Sequence, residues 1–185
     1  MNRNRYFHIL PLLALVLCLA MLSSCRHERF VSHGVRYEMA DGGVRVLPRL
    51  VGHYKGELNL PDSVSHRGGR YAVVGIANGA FEGCTGLQSL VIPATVANLD
   101  NDVLKGCTGL RALHLRHEVP PVADSTLLAD VPVNSCNLYV PLLSAAAYSA
   151  DVVWGQFTIF EEGEIEWGAQ PAQHVKPVES DDHGE

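Results

Sequence analysis

The stretch Phe81-Glu82-Gly83-Cys84-Thr85-Gly86-Leu87-Gln88-Ser89-Leu90-Val91-Ile92-Pro93 decides the fold, because its centre returns. Gly83-Cys84-Thr85-Gly86-Leu87 recurs unchanged, 23 residues on, as Gly106-Cys107-Thr108-Gly109-Leu110. Aligning Ile76 to Asn98 with Leu99 to Pro121 makes eight of 23 positions identical, and Ile76/Leu99, Ala80/Val103, Phe81/Leu104 and Ile92/Leu115 stay apolar. A fixed period of this length marks a unit that cannot bury its apolar side alone but can do so by stacking on its neighbours.

Each unit has a physical pattern. Leu87, Leu90 and Ile92, like Leu110, Leu113 and Leu115, end in period-two alternation, which predicts a strand with one buried face. Phe81 and Cys84 lie three apart, one helical turn, and glycines follow where the chain must bend. Phe81, Cys84, Leu87, Leu90, Ile92, Leu104, Cys107, Leu110, Leu113 and Leu115 are the expected core ladder.

The flanks supply more rungs. Leu58-Asn59-Leu60-Pro61 matches Leu90-Val91-Ile92-Pro93, and Leu138-Tyr139-Val140-Pro141 makes a fourth rung. The extra length between the first two holds a turn at Ser65–Arg70 and a strand at Tyr71–Val74, read as an inserted hairpin. Val35–Met39 and Val44–Leu47, joined by Asp41-Gly42-Gly43, predict an N-terminal capping hairpin. Leu143 to Val153 reads as helical, and Trp154, Phe157, Ile159 and Phe160 as the plug that closes the last coil.

The residues from Phe81 to Pro93 resemble the BspA-like leucine-rich repeat of Bacteroidetes and some other microbes. Cys136-Asn137-Leu138-Tyr139-Val140-Pro141 with Tyr148, Trp154 and Phe157, and the Arg67-Gly68-Gly69-Arg70-Tyr71 hairpin, resemble parts common in short members. The second repeat departs from the pattern, with Leu104 in place of phenylalanine, Asp100-Asn101-Asp102 in place of a glycine-containing turn and Arg116 in place of proline. The resemblance implies a right-handed solenoid. It also implies proteins that are often exported, surface-attached or lipid-anchored, some of them adhesins. The expected fold is therefore α/β and β-rich: a short right-handed leucine-rich-repeat solenoid of 23-residue repeats, with a β-hairpin N-terminal cap and a helix/aromatic C-terminal cap.

The two ends of the chain read differently. Arg3 and Arg5 precede an apolar run of 14 residues, Ile9 to Leu22, too short to span a bilayer and suited to a signal peptide. Leu22-Ser23-Ser24-Cys25 resembles the bacterial lipobox, which implies cleavage and lipidation at Cys25. Arg26 after the cysteine suits outer-membrane sorting, with the surface or periplasmic face left open. Residues 161–185 hold eight acids and one lysine, against a net charge of −6 for the 185-residue chain, and read as an acidic, disordered tail. The expected divisions are 1–24 signal peptide, 25–29 lipid-anchored linker, 30–160 repeat domain and 161–185 tail. Negative net charge argues against electrostatic capture of nucleic acid.

The catalytic motifs are missing. No G-x-S-x-G, P-loop or dinucleotide fingerprint occurs. Cys84, Cys107 and Cys136 lack zinc spacing; Cys84 and Cys107, stacked at one repeat position, are expected as buried core residues, with a disulfide between them as the alternative. The histidines are expected at the surface, and Glu161-Glu162 beside the tail is a poor acid–base pair. We therefore expect no catalytic residue, no metal and no cofactor. What remains is the outward sheet face, with Asn59, Ser89, Val91, Arg111, His114, Arg116 and Tyr139 as candidate binding residues. The expectation is a non-enzymatic envelope or cell-surface lipoprotein, a monomer, binding a protein or glycan. The alternatives are an accessory subunit of an outer-membrane complex facing the periplasm and, more weakly, a glycan-processing enzyme.

Overall fold

The structure, a computed structural model, describes residues 28–163. The signal peptide, Cys25 and most of the expected linker and tail lie outside the described residues. Among those described, eleven strands form two sheets, one short α-helix follows the tenth strand, and three 3-10 turns lie at Ser125–Leu128, Val133–Ser135 and Trp154–Gln156. The strands are β1 (Arg29–Ser32), β2 (Val35–Ala40), β3 (Gly43–Leu47), β4 (Gly56–Asn59), β5 (Ser63–His66), β6 (Gly69–Ile76), β7 (Leu87–Ile92), β8 (Asn98–Leu99), β9 (Ala112–Leu115), β10 (Asn137–Pro141) and β11 (Thr158–Glu162). The helix, α1, spans Ala145–Ala150.

The principal sheet runs β4-β7-β9-β10-β11, and every neighbouring pair in it is parallel. Its register aligns Leu58, Leu90, Leu113, Leu138 and Ile159 in one inward row. Leu90, Leu113 and Leu138 are fully buried, and Leu58 and Ile159 pack against the core from the two ends. Each full burial removes a leucine from water, stabilising by about 1.5–3 kcal/mol. A parallel pair needs a long crossover, and the coil supplies it. The result is a β-rich solenoid.

A second parallel ladder closes the other side of the coil. β3 pairs with β6, and β6 with β8, aligning Val46, Ile76 and Leu99. The antiparallel hairpins β1-β2-β3 and β5-β6 extend this sheet and cover the N-terminal end of the core with Val35, Tyr37 and Val44.

The turns between ladders stack as well. In the first coil Cys84 N bonds Phe81 O, and Leu87 N bonds Cys84 O. In the next, Cys107 N bonds Leu104 O, and Leu110 N bonds Cys107 O. The coils are tied to each other by Phe81 N to Val103 O and Gly83 N to Lys105 O, and onward by Gly106 N to Ala129 O. Gly83 and Gly106 sit at φ +66° and +72°, which is why the bend keeps glycine.

Glycines that look alike in the repeat do different work. A Cβ on Gly109 would collide with the Thr85 carbonyl oxygen of the preceding coil, whereas one on Gly86 would meet only the Lys55 side chain at 3.5 Å. Gly109→Ala should therefore cost about 1–3 kcal/mol, as overpacking does, and Gly86→Ala little. Urea denaturation of the two variants checks this; equal losses would contradict the close approach at Thr85.

Three boundaries differ from the sequence reading. Arg29, expected in a linker, opens β1, and Glu28 is anchored by its carboxylate to His66 (2.9 Å) and Arg67 (2.8 Å). Glu161 and Glu162, expected in the tail, complete β11, paired to Val140 and Pro141. The expected plug is divided. Trp154 and Phe157 are buried, but Phe160 stands on the outer face of a fifth rung, 45% exposed. The strand's alternation turns Phe160 outward once Ile159 faces the core.

Candidate functional site

Outward side chains of the principal sheet form two rows. The register sets Glu57, Ser89, Ala112, Asn137 and Thr158 in one, and Asn59, Val91, His114, Tyr139 and Phe160 in the other. The second row grows aromatic toward the C-terminal end. His114 stacks on Tyr139 with centroids 4.5 Å apart and planes 12° apart, and Tyr139 on Phe160 at 5.6 Å and 28°. Facing residues on adjacent strands are close enough for such contact, which adds about 0.5–1.5 kcal/mol per aromatic pair.

Glu162 reaches back over this row. Its carboxylate accepts a hydrogen bond from His114 Nδ1 at 3.1 Å. A carboxylate can only accept, so Nδ1 carries the proton. Three elements far apart in sequence thus fix one cluster: β9 gives His114, β10 Tyr139 and β11 Glu162.

Two open depressions meet at that cluster. One, of about 460 Å³, lies at the C-terminal ends of the strands and is lined by Arg116, Glu118 and Leu142 among others. The other, of about 540 Å³, lies on the sheet face over Asn59, Ser89, Val91 and Ala112. His114, Tyr139 and Glu162 line both. The joint surface offers aromatic edges, an apolar floor, a carboxylate and a guanidinium.

Of the seven candidate binding residues, Asn59, Ser89, Val91, His114, Arg116 and Tyr139 are brought together here. Val91 corrects the expectation of an exposed side chain: it is only 3% exposed, sheltered as the floor between its neighbours. Arg111 does not join them. Its guanidinium turns back to the carbonyls of Thr108 (3.2 Å) and Leu110 (2.9 Å) at the strand's entrance. Phe160, expected in the plug, and Glu162, expected in the tail, join this face instead. Extending the Leu138 alternation to Ile159 would have found them.

The histidines are less superficial than expected. His117 donates from Nε2 to Val96 O at 2.7 Å, and burial lowers its pKa below the ordinary value, keeping it neutral. His66 bonds Glu28 through Nε2 at 2.9 Å and stacks on the ring of Phe30, with centroids 3.9 Å apart.

The thiols sit in the core. Cys84, Cys107 and Cys136 are free and buried. Burial pushes Cys107 up to about 12 and Cys136 to about 11, far from thiolate reactivity at neutral pH. Among the described residues no group of three or more His, Cys, Asp or Glu is placed to hold a metal ion.

No family model matches this chain, and no curated protein is significantly similar to it. Among solved structures it is similar to a leucine-rich cell surface protein from Faecalibacterium prausnitzii A2-165, with TM-score 0.44, 15% identity and coverage of 73% of this chain and 30% of that one. It is also similar to a leucine-rich repeat protein from Bacteroides capillosus ATCC 29799, with TM-score 0.47, 17% identity and coverage of 73% and 99%. A leucine-rich repeat protein from Bacteroides ovatus ATCC 8483 gives TM-score 0.44, 18% identity and coverage of 71% and 33%. The chain thus spans about a third of the length of the first and the last of these.

Proposed function

We propose that this chain is a non-enzymatic envelope lipoprotein, a short BspA-like solenoid whose principal sheet presents a binding surface for a protein or glycan. The observation that carries the reading is the convergence of two depressions on the stacked His114–Tyr139 pair and the Glu162 carboxylate. Stacked rings on a rigid sheet lose little conformational freedom on binding, and tyrosine is enriched at interaction hot spots. The cluster offers binding chemistry and no activated nucleophile, which favours recognition over turnover.

Arrays of host matrix proteins and of glycans, probed with the full chain and with Tyr139→Ala, test this. Tyr139→Ala should weaken capture at least about tenfold, the loss of about 1.4 kcal/mol, while the thermal melt stays cooperative and falls by only the several degrees that two lost ring contacts cost. A ligand captured equally by both proteins would remove the face from the reading.

The anchor is tested separately. Cys25→Ser should shift the protein from the membrane fraction to the soluble fraction, and unchanged partition would refute lipid anchoring. Protease treatment of intact cells then separates the two locations. Loss of the protein supports a surface adhesin. Protection supports an accessory subunit of an outer-membrane complex facing the periplasm.

A further inference from the structure

The last strand of the principal sheet is an open edge of an unusual kind. Among the described residues β11 is paired on one side only. Proteins blunt such edges with bulges, prolines, short strands or free charges. At the opposite edge β4 is broken by a register shift between Gly56 and Glu57. β11 has five residues in unbroken register with β10 and contains no proline. Its two charges are also tied down. Glu161 accepts from Ala145 N at the start of α1 (2.9 Å), and Glu162 accepts from His114. Neither is free to swing across the edge.

We propose that β11 is a docking edge for an extended, cationic segment of a partner protein, added to the sheet as a further strand. Two observations choose this occupant. Phe160 is covered by Tyr139 on one face and remains 45% exposed, so a sixth strand would set an apolar or aromatic side chain about 4.5–5.5 Å from it. The edge is also anionic: Glu161 and Glu162 are the charged side chains of β11, which carries no basic residue. A second copy of this chain would bring like charges together, whereas basic residues alternating with apolar ones would complement both features. The proposal goes beyond the sheet-face reading and stands without it, because the edge contributes backbone groups and the face contributes side chains.

The test uses fluorescein-labelled synthetic peptides of about eight residues, a usual strand length. One alternates lysine with valine or phenylalanine, and a second carries glutamate for lysine. Two more copies of the first are N-methylated on one or the other alternate set of amides. Binding to the full chain in non-ionic detergent is read by fluorescence anisotropy. The lysine peptide should bind and the glutamate peptide should not. Methylating one set should weaken binding at least about tenfold and methylating the other should not, because only alternate amides face a neighbouring strand. Phe160→Ala should weaken the lysine peptide, and Tyr139→Ala reports separately on the face. Equal binding of both methylated peptides would overturn strand addition in favour of general charge attraction. Equal binding of the glutamate peptide would overturn the cationic partner. No binding by any peptide would overturn the docking edge.

Discussion

Replacing Leu90 by aspartate is expected to abolish the cooperative fold. Leu90 is fully buried and stands in the middle of the inward row, beside Leu58 on one side and Leu113 on the other. The substitution forfeits about 1.5–3 kcal/mol of apolar burial. It also sets a carboxylate between two coils with no partner, a penalty of several kcal/mol. A domain of this size has about 5–15 kcal/mol in total, so the sum reaches most or all of it. Leu90→Ala keeps the apolar character and should lose about 2–5 kcal/mol while still melting cooperatively. Ser89→Asp, one residue away on the outward row, should lose only about 0.2–1 kcal/mol, from the like charge of Glu57 opposite it. Circular-dichroism melts of the three variants check the series. A native-like melt for Leu90→Asp would refute the inward register.

The second large effect lies at the C-terminal cap. Trp154→Ala should cost about 3–5 kcal/mol from the vacated volume. Trp154 is fully buried and donates from Nε1 to the Pro121 carbonyl at 2.8 Å, and its ring lies 6.5 Å from that of Phe157. Leaving the Pro121 carbonyl unpaired in the cavity adds about 1–3 kcal/mol. Trp154→Phe retains most of the packing and should lose much less. The damage should also be local, because each coil of a solenoid touches only its neighbours. Hydrogen exchange in Trp154→Ala should rise in β10 and β11 before β2 and β3. A uniform rise would show that the cap stabilises the chain as one unit.

The stacking of coils could be read from the sequence because it is written in local, repeated residues. Gly83-Cys84-Thr85-Gly86-Leu87 and its copy fix the bend, and the leucine spacing fixes the strand that follows. Asp41-Gly42-Gly43 and Arg67-Gly68-Gly69 are turn signals of the same short-range kind. What escaped is long-range or degenerate. Thr158 to Glu162 has no copy of the glycine motif before it, so its residues read as a plug and not as a fifth rung. The second ladder pairs Val46 with Ile76 and Ile76 with Leu99, across connections that carry no shared motif. The bond between His114 and Glu162 joins residues 48 apart in sequence, and no spacing rule relates them. Arg111 precedes β9, and the alternation that turns Ala112 and His114 outward gives it no place on that face. No short-range pattern foretells that its guanidinium folds back onto the carbonyls of Thr108 and Leu110, satisfying two acceptors where the strand begins. Val91 is the converse case: its direction was right, but its shelter depends on neighbours from two other strands.

The matched backbone of successive turns, in which Gly83 bonds to Lys105 much as Gly106 bonds to Ala129, makes the solenoid a ruler. Any coil that offers the same groups above and below can be inserted between two existing ones, and each insertion moves the two ends apart by about 4.8 Å, one strand spacing. The aromatic row lies on the rungs beside the C-terminal cap and the chain enters at the other end, so its reach is set by coil number rather than by the chemistry of the row. Duplication of a single coil therefore changes how far the surface stands from the first strand of the sheet and leaves the surface itself intact.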